Sequence, residues 1–298
     1  MNLAERLGYR ADERVLIIHA DDVGVTHASN QAAFEAMEDG SVTCGSILVP
    51  CPWFAEVAEY CRSHPKADFG IHLTLICEYP RYRWRALSGR ETSPTLYDEQ
   101  GHMWLTTQEA VASVSPADAA REMRAQVEAA LAAGIDVTHL DTHSGTVLFP
   151  NFIESYISLG IEYQLPLFLI RPSRELLEAS GMLEFWEVLE PQVKRAEEAG
   201  LPILDGMLAD APGRPLEEKE AYYKSLFAGL KPGVTHFLIH PAKPSDELSS
   251  ISTDAPARAK DYELFRDGSM RRHVEGLGIR LIGYREIRDA YRAGDLKN

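Results

Sequence analysis

Asp21 and Asp22 stand side by side where the apolar run 15–20 ends, in the segment VLIIHADDVGVTH. Further along the chain, His72 lies near the end of GIHLTL and His143 ends VTHLDTH. One carboxylate and two imidazoles with room for water are typical of an open catalytic site for a divalent metal. Such a metal lowers the pKa of bound water, and a carboxylate beside the water can take the proton. The sequence predicts Asp22, His72 and His143 as metal ligands and Asp21 as the general base.

Three further residues have types that could assist such a site. Asp141 lies two residues before His143 on the same face of a predicted strand, so we expect its carboxylate to orient that ligand. Arg171 ends the run PLFLIR, where a guanidinium could hold Asp21 charged and in place. His240 ends HFLIHP and is a suitable acid for protonating a leaving group. The predicted catalytic residues are therefore Asp21, Arg171 and His240.

The adjacent acids impose a geometric requirement on the strand that carries them. Side chains alternate along a strand, so His19 and Asp21 share one face while Asp22 points to the other. Both acids can serve one site only if the strand ends or bends there. Gly24, two residues later, is suited to such a turn.

The segment VTHLDTH fits two structures. On a strand, His139, Asp141 and His143 share a face and only His143 lies at the end, which leaves His139 buried in the core. On a helix, His139 and His143 would have the four-residue spacing of a zinc site. The β-branched residues and the following Ser144 and Gly145 favour the strand.

Short apolar runs alternate with longer helical patterns along the chain. The strand candidates are 14–20, 42–49, 68–75, 136–142, 166–171, 202–205, 234–240 and 279–283. The helix candidates lie near 29–39, 53–63, 116–133, 150–163, 184–199, 215–229, 257–276 and 284–293. This rhythm predicts an α/β fold, a (β/α) TIM-like barrel with seven or eight mostly parallel strands. The predicted site residues fall at the carboxyl ends of strands, where function collects in such barrels.

One long connection, about 77–110, interrupts this rhythm. No linker or break in composition divides the chain, so we expect one domain over 1–298 with this connection as an insertion. Long connections are usually functional or disordered, and the clustered aromatic residues here argue against disorder. We expect Trp84 and Trp104 of the insertion, and His27 in the loop after the first strand, to contact a substrate.

Composition excludes several classes of partner. The formal net charge of −15 argues against nucleic acid, which needs a basic surface to displace phosphate counterions. The first residues lack the pattern of a signal peptide, and no later segment is long and apolar enough for a membrane span. We expect a cytoplasmic protein without a membrane span, and a homo-oligomer is compatible with the sequence.

The elements ADDVGVTHASN, GIHLTL, THLDTH, LIRP and LIHP, in this order, resemble those of the YdjC-like carbohydrate deacetylases. That family includes chitooligosaccharide (diacetylchitobiose) deacetylases and hopanoid-biosynthesis deacetylases. The resemblance runs from about residue 14 to about residue 286. Two features depart from the chitooligosaccharide members: the stretch 144–147 reads SGTV where those members continue with further histidines, and the 77–110 connection is longer. The first departure argues against diacetylchitobiose as the substrate.

The resemblance implies a barrel that hydrolyses the N-acetyl group of an amino sugar with one divalent metal ion, Mg²⁺ or Zn²⁺. Position by position, it implies Asp22, His72 and His143 as ligands and Asp21 as the general base. A looser analogy to the wider deacetylase group supports Arg171 and His240. The implied substrate is a small carbohydrate or the sugar head group of a glycolipid, whose apolar sugar face the insertion aromatics would cover.

Three alternatives remain at this point. The same barrel could hydrolyse a different amide or ester, which the metal set does not exclude. A protein that only binds a sugar or a metal would lack a base, whereas Asp21 is present. Purely structural roles for all these residues conflict with the two adjacent acids, which repel one another at a strand end.

Overall fold

The computed structural model describes residues 1–179, 183–210 and 213–296, and within them seven parallel strands form one sheet. The strands are β1 Arg14–Val23, β2 Cys44–Ile47, β3 Phe69–Leu73, β4 Leu140–Thr142, β5 Gly206–Leu208, β6 Gly233–Ile239 and β7 Ile279–Leu281. Their order is β4-β3-β2-β1-β6-β5, and β7 pairs with the start of β1. The adjacent acids Asp21 and Asp22 lie at the end of β1, a strand in the middle of this order.

Single bridges continue the sheet from β4 round to β5. Leu140 of β4 bridges Leu167, and Ile170 bridges Leu204 just before β5. The predicted strands 166–171 and 202–205 are therefore reduced to isolated bridges. Each begins with a proline or lies beside one, and proline cannot donate a hydrogen bond to a ladder. The predicted (β/α) barrel is confirmed in a seven-stranded form with this irregular section.

Helices surround the sheet. They are α1 Leu3–Arg6, α2 His27–Glu38, α3 Phe54–Ser63, α4 Thr107–Ser113, α5 Pro116–Ala132, α6 Ile153–Tyr163, α7 Arg174–Ala179, α8 Trp186–Glu198, α9 Lys219–Ala228, α10 Asp246–Ile251, α11 Ala255–Phe265, α12 Ser269–Gly276 and α13 Tyr284–Ala293. None of the helices in the described ranges is long and apolar enough to cross a membrane.

One predicted helix, 257–276, is two helices in the structure. Between α11 and α12, the Asp267 side chain accepts a hydrogen bond from the backbone N–H of Ser269, 2.7 Å away. Such a local bond competes with the helical hydrogen-bond pattern and favours a break.

The insertion is anchored to the barrel by acids of α5. The Glu122 carboxylate accepts hydrogen bonds from the backbone N–H groups of Leu87 and Ser88, at 3.1 and 2.8 Å. The Asp118 carboxylate likewise accepts a hydrogen bond from the backbone N–H of Thr95, 2.9 Å away. Buried carboxylates that accept from backbone N–H groups hold a segment firmly, since leaving those groups unpaired would be costly.

Candidate metal centre and active site

The end of β1 is bent so that both acids reach one cleft. The register between β1 and β2 shifts between Ala20 and Val23, and Asp22 has a positive φ of 62°. Gly24 follows with a φ of 101°, and a Cβ there would lie 3.1 Å from a backbone oxygen. The bend that alternation requires therefore occurs at Asp22 itself, and Gly24 completes it. A positive φ at a residue other than glycine costs energy and commonly marks functional sites.

The cleft has a volume of about 790 Å³ and opens at the carboxyl ends of the strands. Its polar lining includes Asp21, Asp22, His72, Glu78, His143, His240, Asp254 and Arg258. Leu148, Phe168, Met207 and Leu238 provide apolar surface in the same cleft. Both the size and the mixed lining suit a small ligand.

Asp22, His72 and His143 come together as the sequence predicts. Oδ1 of Asp22 lies 3.4 Å from Nε2 of His72 and 3.2 Å from Nδ1 of His143. The three donor atoms lie within 4.8 Å of one another. Neighbouring ligands of an ion with bonds of about 2.0–2.2 Å are roughly 3 Å apart, so the set fits one divalent ion.

The carboxylate of Asp22 also has the character of a ligand. Asp22 is 1% exposed; its Oδ2 is paired with Nη1 of Arg258 at 2.7 Å, and its Oδ1 makes no aligned hydrogen bond within the described part of the chain. Buried carboxylate oxygens without hydrogen bonds are costly unless a cation satisfies them. Arg258 supplies a cation at Oδ2, and a divalent ion between Oδ1 and the two histidines would satisfy the other oxygen.

Asp141 supports His72 rather than His143, which corrects the prediction. Oδ1 of Asp141 lies 2.9 Å from Nδ1 of His72, and its Oδ2 accepts from the hydroxyl of Ser46 at 2.8 Å. The reason is the pairing of β3 with β4, in which His72 and Asp141 are direct partners. With Nδ1–H donated to Asp141, Nε2 of His72 presents its lone pair to the metal position.

Glu78, at the start of the insertion, supports His143, a contact that was not predicted from the sequence. Its Oε2 lies 2.7 Å from Nε2 of His143, on the opposite side of the ring from Asp22. A turn with positive φ at Ser144 and Gly145 follows His143 and ends the strand there. With Nε2–H donated to Glu78, Nδ1 of His143 is free to bind a metal.

Arg258 of α11 lines the cleft, where Arg171 was predicted, and it pairs with Asp22 rather than with Asp21. Its Nη1 lies 2.7 Å from Oδ2 of Asp22, and its Nη2 donates to the Tyr79 hydroxyl at 3.2 Å. Arg171 instead lies on the surface, where it pairs with Glu197 of α8. The prediction for Arg171 is wrong: its side chain is 63% exposed and does not line the cleft, whereas Phe168, three residues earlier and therefore on the other face of the extended segment, does.

Asp21 lies between the metal ligands and His240. Its Oδ2 is 4.0 Å from Nε2 of His72 and 3.9 Å from Nε2 of His240. Its Oδ1 is 2.6 Å from Nδ1 of His19. Burial opposes ionisation of Asp21, but His19, His72 and His240 outweigh it and hold its pKa below the ordinary range. The carboxylate is therefore ionised and can accept a proton.

The ligand set has pKa values that couple metal binding to proton release. Burial opposes the charge of Asp22, yet Arg258 and both histidines keep its pKa well below the usual value. Burial disfavours protonation of His143, but Glu78 and Asp22 raise its pKa to about 9. The pKa of His72 is also raised, against burial, chiefly by Asp141. A metal must displace protons from both rings.

His240 has the exposure expected of a group that meets substrate. Its side chain is 37% exposed in the cleft. Its backbone N–H donates to Oδ2 of Asp261 at 3.1 Å. Asp261 is itself buried against the ammonium group of Lys219, 2.7 Å away. The backbone of His240 is fixed while its ring faces the open cleft.

The three residues predicted to contact substrate do not line the cleft. His27 pairs with Glu56 at 2.8 Å on the surface. Trp84 is buried in the core, and Trp104 donates its indole N–H to the backbone oxygen of Thr95 at 2.8 Å. The insertion aromatics mainly pack the insertion itself, because large apolar rings are stabilised by burial. Among them, Tyr79 does line the cleft.

The fold places the protein among (β/α) barrels, with a cluster of acids and histidines in a cleft at the carboxyl ends of the strands. The chain belongs to the YdjC-like protein family, whose model matches residues 15–276. The resemblance drawn from the sequence is thereby confirmed.

Relatives of known name support this assignment. A carbohydrate deacetylase of Thermus thermophilus is 34% identical over 281 residues, covering 91% of this chain and 93% of that protein. A carbohydrate deacetylase of Geobacillus stearothermophilus is 27% identical, covering 92% of this chain and 98% of that protein. A crystal structure from Enterococcus faecalis, of a protein for which cellobiose-phosphate cleavage has been suggested, matches with a TM-score of 0.76 and 25% identity. It covers 92% of this chain and 99% of that one.

Proposed function

We propose that this protein is a metal-dependent carbohydrate deacetylase that hydrolyses the N-acetyl group of an amino sugar. The observation that carries the proposal is the convergence of Asp22, His72 and His143 beside Asp21, in a chain whose relatives are named carbohydrate deacetylases. The substrate is a small carbohydrate or the sugar head group of a glycolipid. One divalent ion, Mg²⁺ or Zn²⁺, is the proposed cofactor, since both accept carboxylate and water ligands and Zn²⁺ also favours imidazole.

The ligand residues set the position of the cofactor. Bound by Asp22, His72 and His143, the ion would polarise the acetyl carbonyl and acidify an attacking water. The Asp141 and Glu78 carboxylates hold the two ligand rings in the tautomers that binding requires.

Two residues of the chain then handle the protons. Asp21 takes the proton of the attacking water, because it is an ionised carboxylate whose Oδ2 lies 4.0 Å from Nε2 of His72, one of the proposed ligands. His240, across the cleft from the ligands and open to solvent, donates a proton to the amine nitrogen as the C–N bond breaks. Amide nitrogen is a poor leaving group unless it is protonated, so both roles are needed.

The test is release of acetate by metal-reconstituted protein from a panel of substrates. The panel contains N-acetylglucosamine, its short oligosaccharides and N-acetylated glycolipid head groups, with O-acetyl esters and simple N-acetyl amides as comparisons. We expect acetate from one or more N-acetylated sugars at rates well above those for the comparison compounds. Hydrolysis of only the esters or simple amides would show that the barrel serves a different substrate class. No acetate from any compound would overturn the proposal.

A further inference from the structure

A chain of buried histidines lies inside the barrel directly behind Asp21. Nδ1 of His19 is 2.6 Å from Oδ1 of Asp21, and Nε2 of His19 is 2.8 Å from Nε2 of His139. Nδ1 of His139 lies 3.0 Å from the hydroxyl of Thr138. His19 and His139 are fully buried, and neither lines the cleft. Neither is assigned a role by the mechanism above.

The two contacts of His19 have the lengths of hydrogen bonds. The His19 contacts of 2.6 and 2.8 Å are shorter than the roughly 3.3 Å that separates nitrogen ligands around tetrahedral zinc. They match hydrogen-bond distances.

The donor on the Asp21 side is fixed by the chemistry of the two groups. An ionised carboxylate can only accept, so Nδ1 of His19 carries the proton of that bond. One proton is then shared between the Nε2 atoms of His19 and His139. Whether His19 or His139 holds this second proton, Nδ1 of His19 remains the donor to Asp21.

Packing prevents the His19 and His139 rings from turning. The His139 ring stacks on Tyr284, with centroids 3.9 Å apart and planes 15° apart. On the other side, a Cβ at Gly70 would lie 2.5 Å from the His139 ring, so the ring fits closely over bare backbone. His236 lies against His19 at 4.6 Å between centroids and is held by the Tyr284 hydroxyl, 3.0 Å from its Nδ1.

We propose that His19 is a positioning residue that fixes the carboxylate of Asp21 for proton transfer. His19 occupies Oδ1, which leaves Oδ2 as the oxygen that faces His72 and His240. A carboxylate held by one oxygen cannot rotate out of line with the attacking water. This inference rests on the proposed function, because it concerns the base of that reaction.

The test uses two amide variants of similar polarity. In His19→Asn the amide nitrogen takes the place of Nδ1 and can still donate to Asp21. In His19→Gln the longer side chain carries its amide to the place of Nε2, where it meets His139 instead. We expect His19→Gln to lower kcat by about 10–100-fold with KM and metal affinity unchanged, and His19→Asn to retain kcat within a few-fold of wild type.

A purely structural role would give a different pattern. In that case both variants would lower the melting temperature with similar kcat, because a packing role does not depend on which end of the ring is replaced. Equal kcat in the two variants would overturn the proposal. His236→Asn is a comparison at the same depth: it removes the ring packed against His19 but leaves the His19–Asp21 bond in place, so its kcat should lie well above that of His19→Gln.

A measurement without substrate separates this inference from the proposed function. In ¹⁵N-histidine NMR spectra we expect an exchange-protected Nδ1–H signal that disappears in His19→Gln. If the wild type releases no acetate from any substrate, the proposed function fails while the NMR signal still decides the His19–Asp21 bond. Absence of that signal would overturn the inference on its own.

Discussion

Nη1 of Arg258 lies 2.7 Å from Oδ2 of Asp22, so a residue of α11 neutralises the acid that ends β1. Both side chains are almost fully buried, at 7% and 1% exposure. A buried carboxylate without a partner is strongly destabilising, whereas a paired one is tolerated. Arg258 therefore allows the protein to hold Asp22 ionised before a metal arrives.

Arg258→Met should destabilise the protein most when no metal is bound. We expect the free energy of unfolding in the presence of a chelator to fall by about 3–5 kcal/mol, because Asp22 loses its counter-charge. Addition of a divalent ion should recover a large part of that loss, since the ion replaces the missing charge. Arg266→Met, just beyond the same helix and exposed, is the control and should change the free energy by less than about 0.5 kcal/mol. Equal losses in the two variants would contradict this account.

Asp21→Asn should remove the base while leaving the metal site intact. The carboxamide has the same shape and can still accept from His19 but cannot take a proton. We expect kcat to fall by about 10²–10⁴-fold, with the bound metal unchanged by elemental analysis. Loss of the metal in this variant would instead make Asp21 a ligand.

Glu78→Ala should weaken metal binding. Without the acceptor at Nε2, His143 loses the partner that fixes its tautomer and ring orientation. We expect the metal dissociation constant, measured by isothermal titration calorimetry, to rise by about 10–100-fold. Glu78→Gln keeps an oxygen that can accept from Nε2 and should bind metal more tightly than Glu78→Ala. If both variants bind like wild type, Glu78 has no part in holding His143.

Stability should decline as the pH falls below about 6.5. Burial and the neighbouring His19 hold the pKa values of His139 and His236 well below the usual value. The unfolded chain therefore binds protons at these residues before the folded protein does. The stabilisation that these two neutral rings contribute is fully present above pH 6.5. Below pH 6.5 the free energy of unfolding falls by up to about 1.4 kcal/mol per pH unit for each histidine.

Urea unfolding at pH 7, 6 and 5 measures this slope, and His236→Asn should reduce it by about half. The raised pKa values of His72 and His143, the latter about 9, act above pH 6.5 and leave this window undisturbed. Burial raises the pKa values of Asp68 and Asp205, which opposes this loss as the pH falls, so the decisive comparison is between the wild type and His236→Asn. An identical slope in the two proteins would contradict the assignment of a neutral buried ring at His236.

The parts of the site that sequence predicted are those carried by strand ends. Asp21, Asp22 and His72 follow from apolar runs, and the requirement for a bend follows from side-chain alternation. The bend was placed at Gly24, whereas the structure bends first at Asp22. Local rules locate a turn to within a residue or two, while the exact residue depends on packing against the neighbouring strand.

The parts that sequence did not predict are contacts between distant segments. Glu78 and Arg258 have no local pattern that distinguishes them from other charged residues, and their partners are 65 and 236 positions away in the chain. Strand register could have linked Asp141 to His72, since it makes them direct partners. The prediction for Arg171 failed although its residue type and its place after an apolar run were suitable, because its side chain lies on the surface and pairs with Glu197.

The aromatic residues of the insertion illustrate a further limit. Their clustering indicated an ordered segment, and the structure confirms that order for Trp84 and Trp104. Composition alone cannot distinguish rings that pack the segment from rings that face a ligand. The carboxylates of Asp118 and Glu122, which bind the insertion to α5, are contacts between separate segments that composition does not reveal.

The central claim is that Asp22, His72 and His143 bind the ion with which this protein deacetylates an amino sugar. The most direct test measures acetate release and bound metal together for the wild type and His143→Ala, both reconstituted with Mg²⁺ or Zn²⁺. The account predicts acetate and one ion per chain for the wild type, and loss of both in His143→Ala with folding retained by circular dichroism. Acetate release by His143→Ala at the wild-type rate would contradict it.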